Sequence, residues 1–169
     1  MKPDNAKLIT GLIYSPDFNP EEELVKKLEK KFSPVDYLSP VLSFNYTTYY
    51  GSEMGSNLKR QFVSFKELID PAALTEAKNW AVRTEDKFKV KGKRRVNIDP
   101  GYILPSKLVL ASTKNFYHRI YTGKGIFQEI TLNYRGGEFC DYPWTFPDYR
   151  SKKYKDILTR IRNIYMEQR

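Results

Sequence analysis

The chain is predicted to be α+β, with a ferredoxin-like βαββαβ centre extended by an antiparallel hairpin and a C-terminal helix. Three observations predict it. Two proline-initiated helical stretches alternate with β-patterned runs over residues 1–103. A glycine turn, Thr122-Gly123-Lys124-Gly125, sits between two further β-like runs. Residues 150–167 then carry apolar side chains at helical spacing. The 169 residues fit one domain of ordinary size, 1–169, with 1–103 as the ferredoxin-like part and 104–169 as the hairpin and helix extension.

The elements follow in order. Residues 7–15 (KLITGLIYS) read as a first strand. Asn19-Pro20-Glu21-Glu22 opens a helix: Asn19 can cap, proline fits the first helical position, and Glu22 stands where a capping-box acid would. Leu24, Val25, Leu28 and Phe32 form its apolar stripe, and Pro34 stops it. From Val35 to Tyr50 apolar and polar residues alternate with period 2, which predicts a strand over about 37–49. Residues 51–57 (GSEMGSN) read as a loop and 61–65 (QFVSF) as a third strand. Asp70-Pro71 starts a second helix by the same cap-then-proline logic, with Leu74, Ala77, Ala81 and Phe88 inside and Trp80 beside them. Arg95–Ile98 supplies the next strand, ended by an Asp99-Pro100-Gly101 turn. Residues 107–112 (KLVLAS), a hairpin over 117–134 and the terminal helix complete the chain. In that helix Tyr154, Ile157, Leu158, Ile161, Ile164 and Tyr165 keep one face.

Composition narrows the function classes. Hydrophobic residues at 40% and aromatics at 15% predict a packed core rather than disorder. The single cysteine, Cys140, forbids an intramolecular disulfide; with no leader-like N-terminus this points to a reducing, cytoplasmic setting. No window approaches the ~18 apolar residues that a membrane span needs. The net charge of +9 is one-sided: residues 1–90 balance 13 Lys and Arg against 13 Asp and Glu, while residues 91–169 hold 16 against 7. Such an excess can attract phosphates, RNA or acidic surfaces, or simply keep a protein in solution.

Motifs exclude more than they name. A Walker A loop needs a glycine five residues before Gly-Lys and a Ser or Thr after it; Gly123-Lys124-Gly125 has neither. There is no G-x-G-x-x-G, no C-x-x-C and no DNA-specific motif, and one histidine with two acids, His118, Glu129 and Asp99, makes a thin metal site. Leu58–Phe65 ends in the F-V-x-F of an RNA-recognition strand but lacks its glycine and one stacking aromatic. The hairpin is more informative. With Gly123-Lys124 as a type II′ loop, Tyr121 faces Ile126 and His118 faces Glu129. The only histidine then meets a carboxylate, a common preparation for acid–base work and an equally common structural hydrogen bond. Asp99 is a third candidate for that constellation.

Several phrases occur together in order: Tyr49-Tyr50 with Glu53-Met54-Gly55, Asn97–Tyr102, Lys107–Ser112, His118–Tyr121 and Pro143–Tyr149. Over nearly its whole length the chain thereby resembles the bacterial and archaeal domain-of-unknown-function family numbered 4416. The resemblance implies no mechanism. Some members are labelled GTP-binding protein. It directs attention to Asp99, His118, Arg119, Asp148 and the Tyr49–Met54 group.

Three functional readings follow. The first is binding of a phosphate-bearing ligand, a nucleotide or RNA, on the basic C-terminal half. Arg119, Lys114 and Lys124 would contact phosphate, and Tyr117, Tyr121 or Tyr50 would stack. The second is a small hydrolase or lyase using His118 with Glu129 or Asp99. The third is a non-catalytic interaction module or homo-oligomer, using aromatics around Tyr46–Tyr50 or Trp144. No cofactor is specified by any of these residues.

Overall fold

The computed structural model describes residues 2–169. Nine strands make one antiparallel sheet: β1 (Ala6–Tyr14), β2 (Val35–Leu38), β3 (Leu42–Ser43), β4 (Lys59–Ile69), β5 (Val96–Leu104), β6 (Lys107–Ser112), β7 (Ile120–Gly123), β8 (Ile126–Arg135) and β9 (Glu138–Asp141). Four α-helices accompany them: α1 (Lys26–Lys31), continuing a wider π-type turn over Glu21–Val25, α2 (Gly51–Met54), α3 (Leu74–Lys87) and α4 (Lys152–Gln168). The spatial order is β2-β4-β1-β5-β6-β8-β7, with β3 on β4 and β9 on β8. Among the first four main strands β1 therefore lies between β4 and β5, with β2 outside β4.

The central strand β1 explains the layering. All nine of its residues are buried, because both of its faces are covered. Ala6, Leu8, Leu12 and Tyr14 pack with Leu24 and Leu28 before and on α1 and with Leu74, Ala77 and Ala81 of α3. Ile9, from the opposite face, packs with Phe62 and with Tyr154, Ile157, Leu158, Ile161 and Tyr165 of α4. Lys7 is fully buried on that second face and is neutralised by Asp36, with Gln168 accepting a further bond at 2.7 Å. The 3-10 turn Pro71–Ala73 that leads into α3 is capped by Asp70, which accepts from the Ala72 amide at 2.9 Å, and α4 begins on Ser151, which accepts from the Tyr154 amide at 3.3 Å. No helix among the described residues is long and apolar enough to cross a membrane.

Four local expectations are corrected. The acid that reaches back to Asn19 is Glu23, at 3.2 Å, not Glu22; the wide π-type turn displaces it by one residue. The strand expected over 37–49 stops at Leu38, resumes for Leu42–Ser43 and ends. Ser39-Pro40 interrupts the ladder, and Phe44–Tyr50 leave the sheet, leading into the short helix α2 rather than a plain loop. Asp99-Pro100-Gly101 is not a turn but the middle of β5. The β7–β8 loop is Lys124-Gly125, both with positive φ (53° and 75°), and Gly123 pairs with Ile126. That is type I′ geometry with an irregularity at Thr122, in place of the expected II′ loop. Strand β9 was not anticipated, although its signal was present: Gly136-Gly137, with φ of 61° and 88°, is a two-residue hairpin turn.

Gly101 is where β5 and β6 approach most closely. A Cβ there would lie 2.5 Å from the Val109 carbonyl oxygen and 2.6 Å from Leu110 Cδ2. Backbone cannot yield as a side-chain tip can, so Gly101→Ala should destabilise the protein by about 2 kcal/mol in urea unfolding. Gly51→Ala, with nothing within 4 Å, should be close to neutral. Equal unfolding midpoints for the two variants would contradict this account of the strand contact.

Candidate functional site

Pairing between β5 and β6 runs only from Leu104↔Lys107 to Gly101↔Leu110. Beyond Gly101, β5 stays with β1 down to Val96, while β6 stays with β8 up to Ser112. The sheet forks. Pro100, which cannot donate to a ladder, sits at the residue where pairing to β6 ends.

A fork exposes backbone groups that must find other partners. Helix α3 supplies them. Glu85 Oε1 accepts from the Ile98 amide at 2.7 Å, and Lys78 Nζ donates to the Ile98 carbonyl at 3.0 Å. These are the two polar residues on the buried face of α3 that stand seven apart, two helical turns. Lys78 also binds Asp99 Oδ1 at 2.9 Å, and Asn97 donates to Asp99 Oδ2 at 2.6 Å. Arg94 links Glu53 (2.9 Å), Asn97 (3.3 Å) and Glu85 (3.4 Å). Burial pushes the Glu85 carboxyl up to about 7, with Lys78 opposing the rise. Burial acts on Asp99 in the same sense, but Lys78, Arg60 and Asn97 outweigh it and hold that carboxyl below its ordinary value.

Within the fork lies a cavity of about 710 Å³. One wall is the α3 and β5 network just described. The opposite wall is built on Glu129 of β8. Its Oε2 meets both Arg119 Nε and His118 Nε2 at 2.7 Å, and its Oε1 accepts from Thr131 at 3.2 Å. Arg119 also donates to the Lys114 carbonyl at 2.9 Å, which fixes the guanidinium across the cavity mouth. The chain that left the sheet after β3 forms the aromatic side: Phe44, Tyr46, Tyr49 and Tyr50 line the cavity, with Phe146 on the other flank. Lys114 sits over the Tyr49 ring, 4.1 Å from its centroid.

The floor is Arg60, Asp148 and Tyr149. Arg60 is 2% exposed and lies 5.2–5.6 Å from the ring centroids of Phe44, Phe62, Tyr149 and Tyr154. It donates from Nε to the Tyr154 hydroxyl at 3.0 Å and from Nη2 to Asp148 at 2.7 Å.

The structure thus brings Asp99, Arg119, Glu129, Lys114 and Tyr50 to one cavity. His118 meets Glu129 as expected, though by a register the sequence did not predict. It is not among the lining residues. It stacks on Trp144 at 5.3 Å and 12° and stands behind Glu129. Asp99 is held by Lys78 and Asn97 rather than by His118. Lys124, Tyr117 and Tyr121 lie on the exposed outer hairpin; Lys124 is paired with Glu76. The aromatic pair of the RNA-recognition pattern, Phe62 and Phe65, is fully buried and cannot receive a base. Among the described residues no group of three or more His, Cys, Asp or Glu side chains is placed to hold a metal.

The sequence alone does not single out Arg60, Lys78, Glu85 or Tyr149, and it marks Arg94 only as one of a run of basic residues mixed with aromatics. Arg60 shares a face with Phe62 on an alternating strand, and Lys78 and Glu85 interrupt an apolar helical stripe. A charge at a core position of a periodic pattern is the signal that could have found Arg60, Lys78 and Glu85.

The model of one protein family, Domain of unknown function (DUF4416), matches residues 4–165. The chain belongs to this family. No curated protein and no solved structure matches it. Two of the phrases that carry the resemblance fall on the fork: Asn97–Tyr102 lies in β5 beside it, and Pro143–Tyr149 reaches its floor.

The raised Glu85 group has a consequence for stability. Between an ordinary carboxyl value of 4.5 and about 7, the folded state keeps a proton that the unfolded state has lost. Folding stability from this group therefore falls as pH rises through that window and is level above it. Glu85→Gln keeps an acceptor for Ile98 and removes the titration. Urea unfolding across pH 4.5–7.5 should show the variant gaining on the parent by on the order of 3 kcal/mol. A constant difference across that range would refute the assignment.

Proposed function

We propose that the fork cavity binds a phosphate-bearing ligand of nucleotide size. One observation carries the reading: a cavity of about 710 Å³ with tyrosines on one side and paired acidic and basic side chains on the others, with Lys114 at its rim. That volume lies in the range of small-molecule sites, roughly 300–1,000 Å³. Every carboxylate lining it is already paired: Asp148 with Arg60, Asp99 with Lys78, Glu85 with Arg94, Glu129 with Arg119 and Asp86 with Lys89. Lys114 has no carboxylate partner in the structure and projects at the rim beside Tyr49. A planar base can stack against Tyr49 or Tyr50 while Lys114 and Arg119 meet phosphate. RNA fits less well, since the tyrosine side belongs to a recess and not to an open platform. The acid–base reading of His118 is not favoured, because its ring lies behind Glu129.

Calorimetric titration of the whole chain with nucleoside mono- and triphosphates tests the proposal. Binding should weaken as salt is raised. Tyr49→Ala, at a residue 57% exposed, should weaken nucleotides roughly 5- to 100-fold by loss of stacking and weaken inorganic phosphate far less, through the support the ring gives Lys114. Absence of binding across the nucleotide panel would remove the reading. Tighter binding of single-stranded RNA than of any mononucleotide would move the site to an open surface.

A further inference from the structure

Two polar atoms on the cavity floor are buried without a hydrogen-bond partner: Arg60 Nη1 and the Tyr149 hydroxyl. Their residues are 2% and 3% exposed, and both line the cavity. Buried donors are almost always satisfied, so two orphans side by side at one cavity need a partner that the protein itself does not supply. Their placement follows from Gly11 on β1. A Cβ at Gly11 would stand 2.7 Å from Arg60 Nη1 and 3.3 Å from the Tyr149 hydroxyl. Glycine lets these two groups, whose other contacts are fixed, come down onto β1 where a side chain would strike them. The remaining nitrogens of Arg60 are held by Tyr154 and Asp148, and the Tyr149 ring is wedged edge-on against Phe62 and Tyr154.

We propose that Arg60 Nη1 and the Tyr149 hydroxyl, over Gly11, form a buried seat for an oxyanion, a phosphate or carboxylate group carried by the ligand. The proposal rests on the reading of the cavity as a ligand site and adds which end of the ligand enters first. The negative group goes to the floor, and the planar part remains between the tyrosines at the mouth. The chemistry is one-sided. Arg60 can only donate. The Tyr149 phenol keeps its proton, because burial drives its ionisation well above the ordinary value against the opposing pull of Arg60. An acceptor-only group matches both. Lys114 at the rim then serves entry or a second phosphate rather than the primary anchor.

Tyr149→Phe removes one orphan atom and keeps the ring. The whole chain and this variant are titrated with inorganic phosphate, acetate, a nucleoside monophosphate and the matching nucleoside, and both are melted in anion-free buffer. The variant should bind the preferred anion and the monophosphate roughly 10- to 100-fold more weakly, the range for a hydrogen bond to a charged group, and the nucleoside equally well. It should melt at the same temperature as the parent or higher, since the lost hydroxyl had no partner. Phosphate binding above acetate identifies a phosphate seat, and the reverse a carboxylate seat. Gly11→Ala, whose methyl would displace Arg60 Nη1, should lose the anion likewise. The seat is overturned if anion affinity is unchanged in Tyr149→Phe, if the parent binds no anion, or if the variant melts several degrees lower, which would show a structural hydroxyl. Monophosphate binding that survives in Tyr149→Phe overturns the seat and leaves the nucleotide reading intact. Phosphate binding lost in the variant, with no gain from an attached nucleoside, keeps the seat and removes that reading.

Discussion

The fork at Gly101 is the constraint on which the rest of the site depends. Close approach of β5 to β6 is possible because Gly101 has no side chain to strike Val109 and Leu110. Past that contact the two strands follow different neighbours. The open edge of β5 would leave the amide and carbonyl of Ile98 unpaired in the interior. Glu85 and Lys78 replace the missing strand at that residue. A separation in the sheet thereby becomes a walled cavity whose lining is polar where the backbone needs partners and aromatic where the chain after β3 folds over it.

The charges then arrange themselves in pairs. Lys78 cannot be buried alone, and Asp99 accompanies it; Arg60 is accompanied by Asp148; Arg119 and His118 share Glu129. Such pairs contribute little net stability when both partners are present, yet loss of one strands the other in a medium of low polarity. They fix side chains in place. This rigid framework makes the two unpartnered donors on the floor informative, since the charged groups around them are paired and little can move to meet them.

Much of the fold was legible in the sequence because its signals are local. Asp70-Pro71 and the apolar spacing of residues 154–165 mark helices without reference to anything distant, and Lys107–Ser112 has the same bounds in sequence and structure. The errors lie where pairing decides. Residues 37–49 alternate as a strand does, but no ladder receives them after Ser43, and Pro40 already breaks the run. Asp99-Pro100-Gly101 has turn chemistry and is strand, because β1 on one side and the fork on the other tolerate the proline. The hairpin placed His118 beside Glu129 through a loop that is one residue out. Its geometry depends on Lys124 accepting a positive φ, which sequence alone did not favour over Gly123. The site was half legible: Arg119, Lys114, Asp99, Glu129 and Tyr50 drew notice as charged or aromatic residues in unusual surroundings. Arg60 on β4 and Tyr149 in the helical turn Asp148–Arg150 lie far apart in the chain and meet only in the fold.

The central claim is that ligand enters the fork between β5 and β6. An NMR titration of the isotopically labelled protein with a nucleoside monophosphate, read at backbone amides and at the Arg60 side-chain Nε, tests it most directly. The account predicts saturable shifts at Gly11, Ile98, Gly101, Ala111 and Arg60, with none at Lys124 or Gly125 on the outer turn. Shifts confined to that outer hairpin, with the fork residues unmoved, would contradict it.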